Sequence, residues 1–135
     1  MQDEDEISGL LWLNGKLTDY SRAKVSIEDR GFNFGDGVYE VIRVYESKPF
    51  ALDRHLRRFE RSAAGIELAL PMPSAEIAEL AKELTRKSGR ADAEIYIQLT
   101  RGAARRNHLF PVDVAPTFLI GVRPGRKIDP ELPHT

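Results

Sequence analysis

Residues 28–45 read EDRGFNFGDGVYEVIRVY and combine two kinds of local pattern. The first part, 28–37, contains three glycines, and glycine permits the positive φ angles and close backbone approaches that tight loops require. The second part, Val38–Tyr45, is rich in β-branched and aromatic residues, which favour extended structure. We therefore expect a glycine-rich loop that leads directly into a β-strand.

A β-hairpin is expected upstream of this stretch. Leu10–Leu13 is a short apolar run, and the Asn14-Gly15 that follows it is typical of two-residue hairpin turns. A second strand is expected from Lys16 through Ile27, with Asp19 as a candidate point of interruption. The N-terminal part of the chain is therefore predicted to pair with itself.

Further strands are expected downstream. Glu46–Lys48 predicts a turn, and Pro49–Leu52 predicts a short returning strand. Ala93–Thr100 alternates apolar with polar side chains, which is typical of a half-buried strand. Thr117–Val122 is one more apolar run of strand length.

The middle of the chain has a helical period instead. A first helix is expected with Asp53 as its N-cap and Gly65 near its end. Its apolar stripe consists of Leu56, Phe59, Ala63 and Ile66. A second helix is expected to follow Pro73-Ser74 and to end at Gly89. Its stripe consists of Ile77, Leu80, Ala81 and Leu84.

The order of these elements predicts the fold class. Strands, two helices and further strands indicate an α+β domain, in which helices cover one face of a largely antiparallel sheet. We expect one small domain over residues 1–122. The tail, 123–135, contains three prolines and no periodicity, which is typical of a linker.

Composition excludes several classes of function. The 135 residues carry a formal net charge of −1, which gives no reason to expect nucleic acid or an anionic membrane as a partner. The chain contains no cysteine, which excludes disulfides and thiolate metal sites. The polar start, Met1–Glu6, is unlike a secretory signal, and no apolar run reaches the length that spans a bilayer. We therefore expect a soluble, cytoplasmic protein.

Three features combine residue types that bind ligands. Gly35–Gly37 would let a ligand approach the backbone, although a tight connection between strands would also explain it. Arg58, at one side of the first helix's apolar stripe, either offers a bidentate donor to a phosphate or forms a surface ion pair. The loop 101–108 carries three arginines and a histidine, which would hold a carboxylate or would simply be solvated.

Together these segments resemble a known family. Residues 28–40, His55–Phe59 and Gln98–Gly102 are similar, in this order, to three motifs of the class IV aminotransferases, which are pyridoxal-phosphate enzymes of fold type IV. The family also contains branched-chain aminotransferases and aminodeoxychorismate lyases. The resemblance extends from about Leu11 to Val122 and implies the family's N-terminal small domain, with pyridoxal 5′-phosphate as its cofactor.

The resemblance also implies roles for individual residues. Arg106 and His108 match an Arg-x-His pair of the D-amino-acid aminotransferase subgroup, in which the neighbouring subunit contributes this pair to hold the substrate's α-carboxylate. Tyr39 matches the tyrosine that closes the same carboxylate trap, and Tyr96 matches a second tyrosine of the substrate pocket. Arg58 matches the arginine that binds the cofactor's phosphate. The expected activity is transamination between a D-amino acid and a 2-oxo acid in a homodimer.

The family's Schiff-base lysine lies in its C-terminal domain, and none of the lysines here stands in a matching context. The six lysines are Lys16, Lys24, Lys48, Lys82, Lys87 and Lys127. We therefore expect no catalytic residue within these 135 residues and no transamination by them alone. Two alternatives stay open, namely a branched-chain aminotransferase or aminodeoxychorismate lyase, and a non-catalytic, truncated remnant that self-associates.

Overall fold

A computed structural model describes residues 9–111 and 113–125 and shows an α+β domain, as the sequence predicts. The strands are β1 (Leu10–Leu13), β2 (Lys16–Asp19), β3 (Gly37–Tyr45), β4 (Lys48–Pro49), β5 (Ala93–Thr100) and β6 (Thr117–Pro124). The helices are α1 (Arg30–Phe34), α2 (Leu52–Gly65) and α3 (Ser74–Ser88), and Tyr20–Arg22 forms a 3-10 turn. The strand order is β2-β1-β6-β5-β3-β4, with every neighbouring pair antiparallel.

The sheet has one face in the core and one face that carries partly exposed aromatic residues. Ile42, Ile95 and Val122 lie side by side on neighbouring strands and belong to the buried core. Since successive side chains of a strand point to opposite faces, Tyr39 and Val41 lie on the other face, where both are exposed. The alternation in the strands therefore separates the core from a surface on which ligands or partners can bind.

Helices α2 and α3 cover the core face. Phe59 on α2 and Ile77 on α3 are completely buried, in keeping with the apolar stripes of both helices. Gly89 ends α3 in the left-handed conformation, with φ 68°, as its sequence position predicts. None of the helices in the described ranges is both long and apolar enough to cross a membrane.

Several predicted element boundaries differ from the structure. Helix α2 begins at Leu52 with Ala51 as its N-cap, so Asp53 lies in the first turn, where its carboxylate faces the positive end of the helix dipole. Strand β2 ends at Asp19, the candidate point of interruption, and does not resume toward Ile27; a 3-10 turn that contains Tyr20 follows it. The Tyr20 ring occupies the space above Gly121, where a Cβ would collide with the Tyr20 hydroxyl.

The glycine-rich stretch also differs from a simple loop. Asp29 caps a short helix, α1, by accepting a hydrogen bond from the Gly31 backbone N–H at 2.8 Å. Gly35 ends this helix with φ 63°. At the other end of the domain, β6 continues through Pro124, so the first residues of the expected linker are part of the sheet. The remainder of that predicted linker, 126–135, lies outside the described residues.

Candidate active site

A buried carboxylate joins strand β3 to helix α2. Glu40 lies on the core face of β3. His55 and Arg58 are three positions apart on α2, so both side chains lie on the same side of the helix and reach Glu40. Arg58 donates from Nε to Glu40 Oε2 at 2.8 Å and from Nη2 to Oε1 at 2.6 Å. His55 Nδ1 lies 2.7 Å from the same Oε1. The result is a bidentate ion pair with a histidine as a third member.

The members of this cluster differ strongly in exposure. The side chain of Glu40 is 4% exposed, whereas that of Arg58 is 62% exposed. Burial alone raises the pKa of Glu40, but the hydrogen bonds from Arg58 and His55 outweigh it and leave the pKa below its ordinary value. Glu40 is therefore ionised at neutral pH, and it holds a cation whose outer side faces solvent.

Arg58 opens onto a cationic groove. The groove has a volume of about 360 Å³, and its lining residues are Phe50, Ala51, Arg54, His55, Arg58 and Arg61. Three guanidiniums and an imidazole around one opening favour a multiply charged anion, since each guanidinium presents several N–H donors in a fixed plane.

The two tyrosines that the sequence selects lie together on the other face of the sheet. The rings of Tyr39 and Tyr96 stack with their centroids 5.8 Å apart and an interplanar angle of 28°. The Tyr96 hydroxyl donates to Gln98 Oε1 at 3.2 Å. Burial raises the pKa of Tyr96 above its ordinary value, so its hydroxyl stays protonated and able to donate.

The loop after β5 packs on helix α1. The Arg106 guanidinium lies 5.5 Å from the centre of the Phe34 ring, and the His108 ring lies 5.4 Å from it. The guanidinium of Arg30, a buried residue of α1, donates to the backbone carbonyl of Asn107 between them. Arg106 and His108 are both exposed on this anchored loop.

A second buried ion network supports the same loop. Asp36 accepts from Arg30 Nε at 2.7 Å and from Arg101 Nε at 2.9 Å. Arg101 also donates from Nη2 to the carbonyl of Ile66 at 2.5 Å. The sequence predicts Arg101 as one of the cations of a binding loop, but its side chain points into the protein and stabilises the fold instead.

The close approach at Gly37 also proves to be structural. A Cβ there would lie 2.7 Å from the backbone oxygen of Leu99 on the neighbouring strand. Gly37 therefore allows β3 to lie close to β5, and the turn before it connects helix α1 to β3.

Glu40 is the residue that sequence reasoning missed. It lies inside the quoted motif, but its role depends on α2. A signal was present, because Glu40 alternates with Val38 and Ile42 on the apolar side of β3, and a carboxylate in that position needs a cationic partner. The other selected residues form two separate groups, Tyr39 with Tyr96 and Arg106 with His108.

Comparison with known proteins agrees with the sequence motifs. Residues 37–134 match the family model described as amino-transferase class IV. The chain is 44% identical over 110 residues to the D-alanine aminotransferase of Staphylococcus haemolyticus, with 81% of this chain and 39% of that protein covered. The D-alanine aminotransferase of Bacillus licheniformis is 42% identical over 118 residues, with 87% of this chain and 42% of that protein covered.

Solved structures show the same architecture. A T.th. branched-chain amino acid aminotransferase with pyridoxamine 5′-phosphate superimposes with a TM-score of 0.81 at 27% identity, and the match covers 93% of this chain and 43% of that one. The chain spans about two fifths of the length of the curated relatives named above, 39% and 42%.

Proposed function

The chain belongs to the class IV aminotransferases, and from this membership we propose that it forms the N-terminal part of a D-amino-acid transaminase that uses pyridoxal 5′-phosphate. The enzyme moves an amino group between a D-amino acid and a 2-oxo acid. The observation that carries this choice of substrate is the anchored loop that exposes Arg106 and His108 together on Phe34. The 44% identity to a D-alanine aminotransferase supports it.

The groove beside Arg58 fits the cofactor's phosphate. Arg58 keeps one side of its guanidinium in solvent while Glu40 occupies the other, and Arg54 and Arg61 add positive charge at the same opening. A phosphate dianion requires such fixed cationic donors. When bound, the cofactor supplies the electron sink that labilises bonds at the substrate's Cα atom. In this proposal Arg58 holds the phosphate and thereby orients the cofactor.

The remaining residues act on the substrate. Arg106 and His108 bind the α-carboxylate, and Tyr39 and Tyr96 line the pocket. Fixing the carboxylate on one side and the side chain on another determines which bond at Cα stands perpendicular to the cofactor ring, and this geometry selects D over L amino acids. As the resemblance to the D-amino-acid aminotransferase subgroup implies, we assign the two side chains of this loop to the substrate site of a second subunit, in a homodimer.

The lysine that bonds to the cofactor is proposed to come from sequence beyond these 135 residues. The described lysines are all exposed, and they are Lys16, Lys24, Lys48, Lys82 and Lys87. Lys127 lies outside the described residues. We therefore expect the 135-residue chain, mixed with pyridoxal 5′-phosphate, D-alanine and 2-oxoglutarate, to form pyruvate no faster than the free cofactor does. Pyruvate formation above the rate of free cofactor would contradict this expectation.

The substrate assignment is tested in the protein that carries this chain together with its lysine. Arg106→Leu should raise KM for D-alanine about tenfold to a hundredfold, because a charge-assisted hydrogen bond contributes about 1.5–3 kcal/mol. Arg105→Leu removes the same charge from the neighbouring exposed position and should change KM less than about twofold. Equal KM values for wild type and Arg106→Leu would remove the main support for D-specificity.

The alternative of a branched-chain aminotransferase rests on the structural neighbours, which carry that name at a TM-score of 0.81. A 4-amino-4-deoxychorismate lyase from Pseudomonas aeruginosa also superimposes, with a TM-score of 0.66 at 28% identity and coverage of 85% of this chain and 40% of its own. A panel of D-alanine, D-glutamate, L-leucine and 4-amino-4-deoxychorismate separates the three activities. Turnover of L-leucine in preference to both D-amino acids would favour the branched-chain alternative.

A further inference from the structure

We propose that Glu40 is a positioning residue, which orients the Arg58 guanidinium so that its free edge meets the phosphate monoester of the cofactor. This inference rests on the proposed function, because it takes Arg58 as the phosphate anchor. It adds a buried residue that does not touch the ligand and yet determines how the ligand is held.

The hydrogen bonds between Arg58 and Glu40 determine which N–H donors of Arg58 remain available to a ligand. A guanidinium has five N–H donors in one plane. Glu40 accepts from Nε and Nη2, along one edge of that plane, so the edge formed by Nη1 and the second Nη2 proton stays available. Two parallel N–H groups on one edge match two oxygens of a phosphate. The ion pair therefore presents a second, outward-facing bidentate donor.

The core, not the surface, sets the direction of this donor. The Glu40 side chain is 4% exposed and lies on the core face of β3, whereas the Arg58 side chain is 62% exposed. A long arginine side chain at a surface normally samples many rotamers, and fixing it costs conformational entropy. Glu40 restricts those rotamers before any ligand arrives, so the binding of a phosphate loses less entropy.

His55 restricts the carboxylate in turn. Because an ionised carboxylate only accepts, the proton of this hydrogen bond is on His55 Nδ1, which donates to Glu40 Oε1 at 2.7 Å. Both carboxylate oxygens therefore have donors, and Glu40 cannot rotate away from Arg58 without losing three hydrogen bonds.

Glu40 could act on phosphate binding through its charge or through the position of Arg58, and these two roles predict opposite effects when Glu40 is removed. A negative charge near the groove repels a phosphate, so its removal should tighten phosphate binding if Glu40 acts only electrostatically. If Glu40 acts by positioning, its removal should weaken binding. The sign of the change in affinity therefore separates the two roles.

The experiment titrates the 135-residue chain with pyridoxine 5′-phosphate and, separately, with pyridoxine, and follows the NMR signals of the arginine Nε–H groups. Both probes lack the aldehyde that would react with exposed lysines. Glu40→Gln should lower the affinity for the phosphorylated probe about fivefold or more, because Arg58 is no longer preorganised. Glu60→Gln, which removes an exposed carboxylate two positions from Arg58 on α2, should leave the affinity for the phosphorylated probe equal or higher.

The outcomes distinguish this inference from the proposed function. If the wild-type chain does not prefer the phosphorylated probe, or if Arg58→Gln keeps the preference, Arg58 is not the phosphate anchor; that part of the proposed function fails, and the positioning role of Glu40 fails with it. Suppose instead that Arg58→Gln abolishes the preference, while Glu40→Gln binds the phosphorylated probe as tightly as wild type or more tightly. Only the positioning role of Glu40 is then overturned, and Arg58 remains the phosphate anchor.

A measurement on the wild-type chain makes the test independent of how well Glu40→Gln folds. Nitrogen-15 relaxation of the Nε–H groups should show Arg58 restricted on the ps–ns timescale, with Arg57 and Arg61 mobile on the same helix. All three are exposed residues of α2. Equal mobility of the three side chains would overturn the inference even if the variant does not fold.

Discussion

Asp36 and Asp92 each pair with an arginine at an N–O distance of 2.7 Å, but they have very different surroundings. The side chain of Asp36 is 7% exposed, and that of Asp92 is 64% exposed. Asp36 also accepts from a second buried guanidinium, that of Arg101. Since breaking a buried ion pair leaves an uncompensated charge, Asp36 stabilises the fold far more than Asp92 does.

Replacing the two aspartates tests this difference. Asp36→Asn should lower the free energy of unfolding by about 3–5 kcal/mol, because two buried guanidiniums lose their counter-ion. Asp92→Asn should lower it by less than about 1 kcal/mol, because that pair is solvated. Urea denaturation at neutral pH measures both. Similar losses for the two variants would show that burial does not determine how much each ion pair stabilises the fold.

The Asp36 carboxylate also makes part of the free energy of unfolding depend on pH. Burial raises the pKa of Asp36, but hydrogen bonds from Arg101 and Arg30 outweigh it and hold the pKa below its ordinary value. The stabilisation is therefore complete above the unfolded-state pKa of about 3.9 and is lost as the pH falls through the lower folded-state pKa. The advantage of wild type over Asp36→Asn should shrink on acidification below about pH 4. An advantage that stays constant throughout acid unfolding would contradict this assignment.

At the scale of elements, helix α2 starts from an unusual backbone conformation. Its N-cap, Ala51, has φ 55° and ψ 35°, and no side chain caps the helix. A left-handed conformation costs a residue with a Cβ about 1–2 kcal/mol, whereas glycine adopts it freely. Ala51 also lines the groove of Arg58, so this strain lies beside the proposed phosphate site.

One substitution at two positions of α2 should therefore have opposite effects. Ala51→Gly should raise the free energy of unfolding by about 1 kcal/mol, because it relieves the left-handed strain. Ala64→Gly, on an exposed part of the same helix, should lower it by about 0.5–1 kcal/mol, because glycine loses more backbone entropy in a helix. Thermal and urea unfolding report both changes. A loss of stability in both variants would mean that Ala51 is not strained.

At the scale of the whole molecule, apolar side chains are exposed around α1 and the loop that packs on it. Phe32 is 75% exposed and Leu109 is 74% exposed. An exposed apolar patch next to a polar loop is typical of a protein–protein interface. Leu109 directly follows His108 on this loop, and its exposure supports the proposed homodimer in which the loop reaches a second subunit.

Oligomeric state tests this assignment. Leu109→Glu should raise the dimer dissociation constant about tenfold or more, because it places a charge in a desolvated interface. Leu17→Glu is the control, because it changes another exposed leucine, on β2 at the edge of the sheet. It should leave the dimer dissociation constant unchanged. Sedimentation equilibrium measures both. A wild-type monomer at high concentration would refute the homodimer, and an unchanged Leu109→Glu dimer would refute this interface.

Sequence reasoning succeeded where structure depends on nearby residues. The alternation over Ala93–Thr100, the hairpin at Asn14-Gly15 and the end of α3 at Gly89 are all confirmed. It failed where distant packing decides. Asp19, the expected point of interruption, does end strand β2, but the packing of Tyr20 on Gly121, a residue far away along the chain, is a contact that no local pattern reports.

The sequence by itself determined the α+β fold, its two covering helices and the family, because periodicity and ordered motifs are properties of the chain. Only the tertiary structure decided which charged residues meet. Glu40 and Arg58 are separated by 18 positions, and Asp36 and Arg101 by 65. Such pairs form when a helix or loop packs on a particular strand, and the cost of burying a charge then selects its partner. For this reason the sequence pointed to Arg58, but the structure was needed to find the carboxylate that holds it.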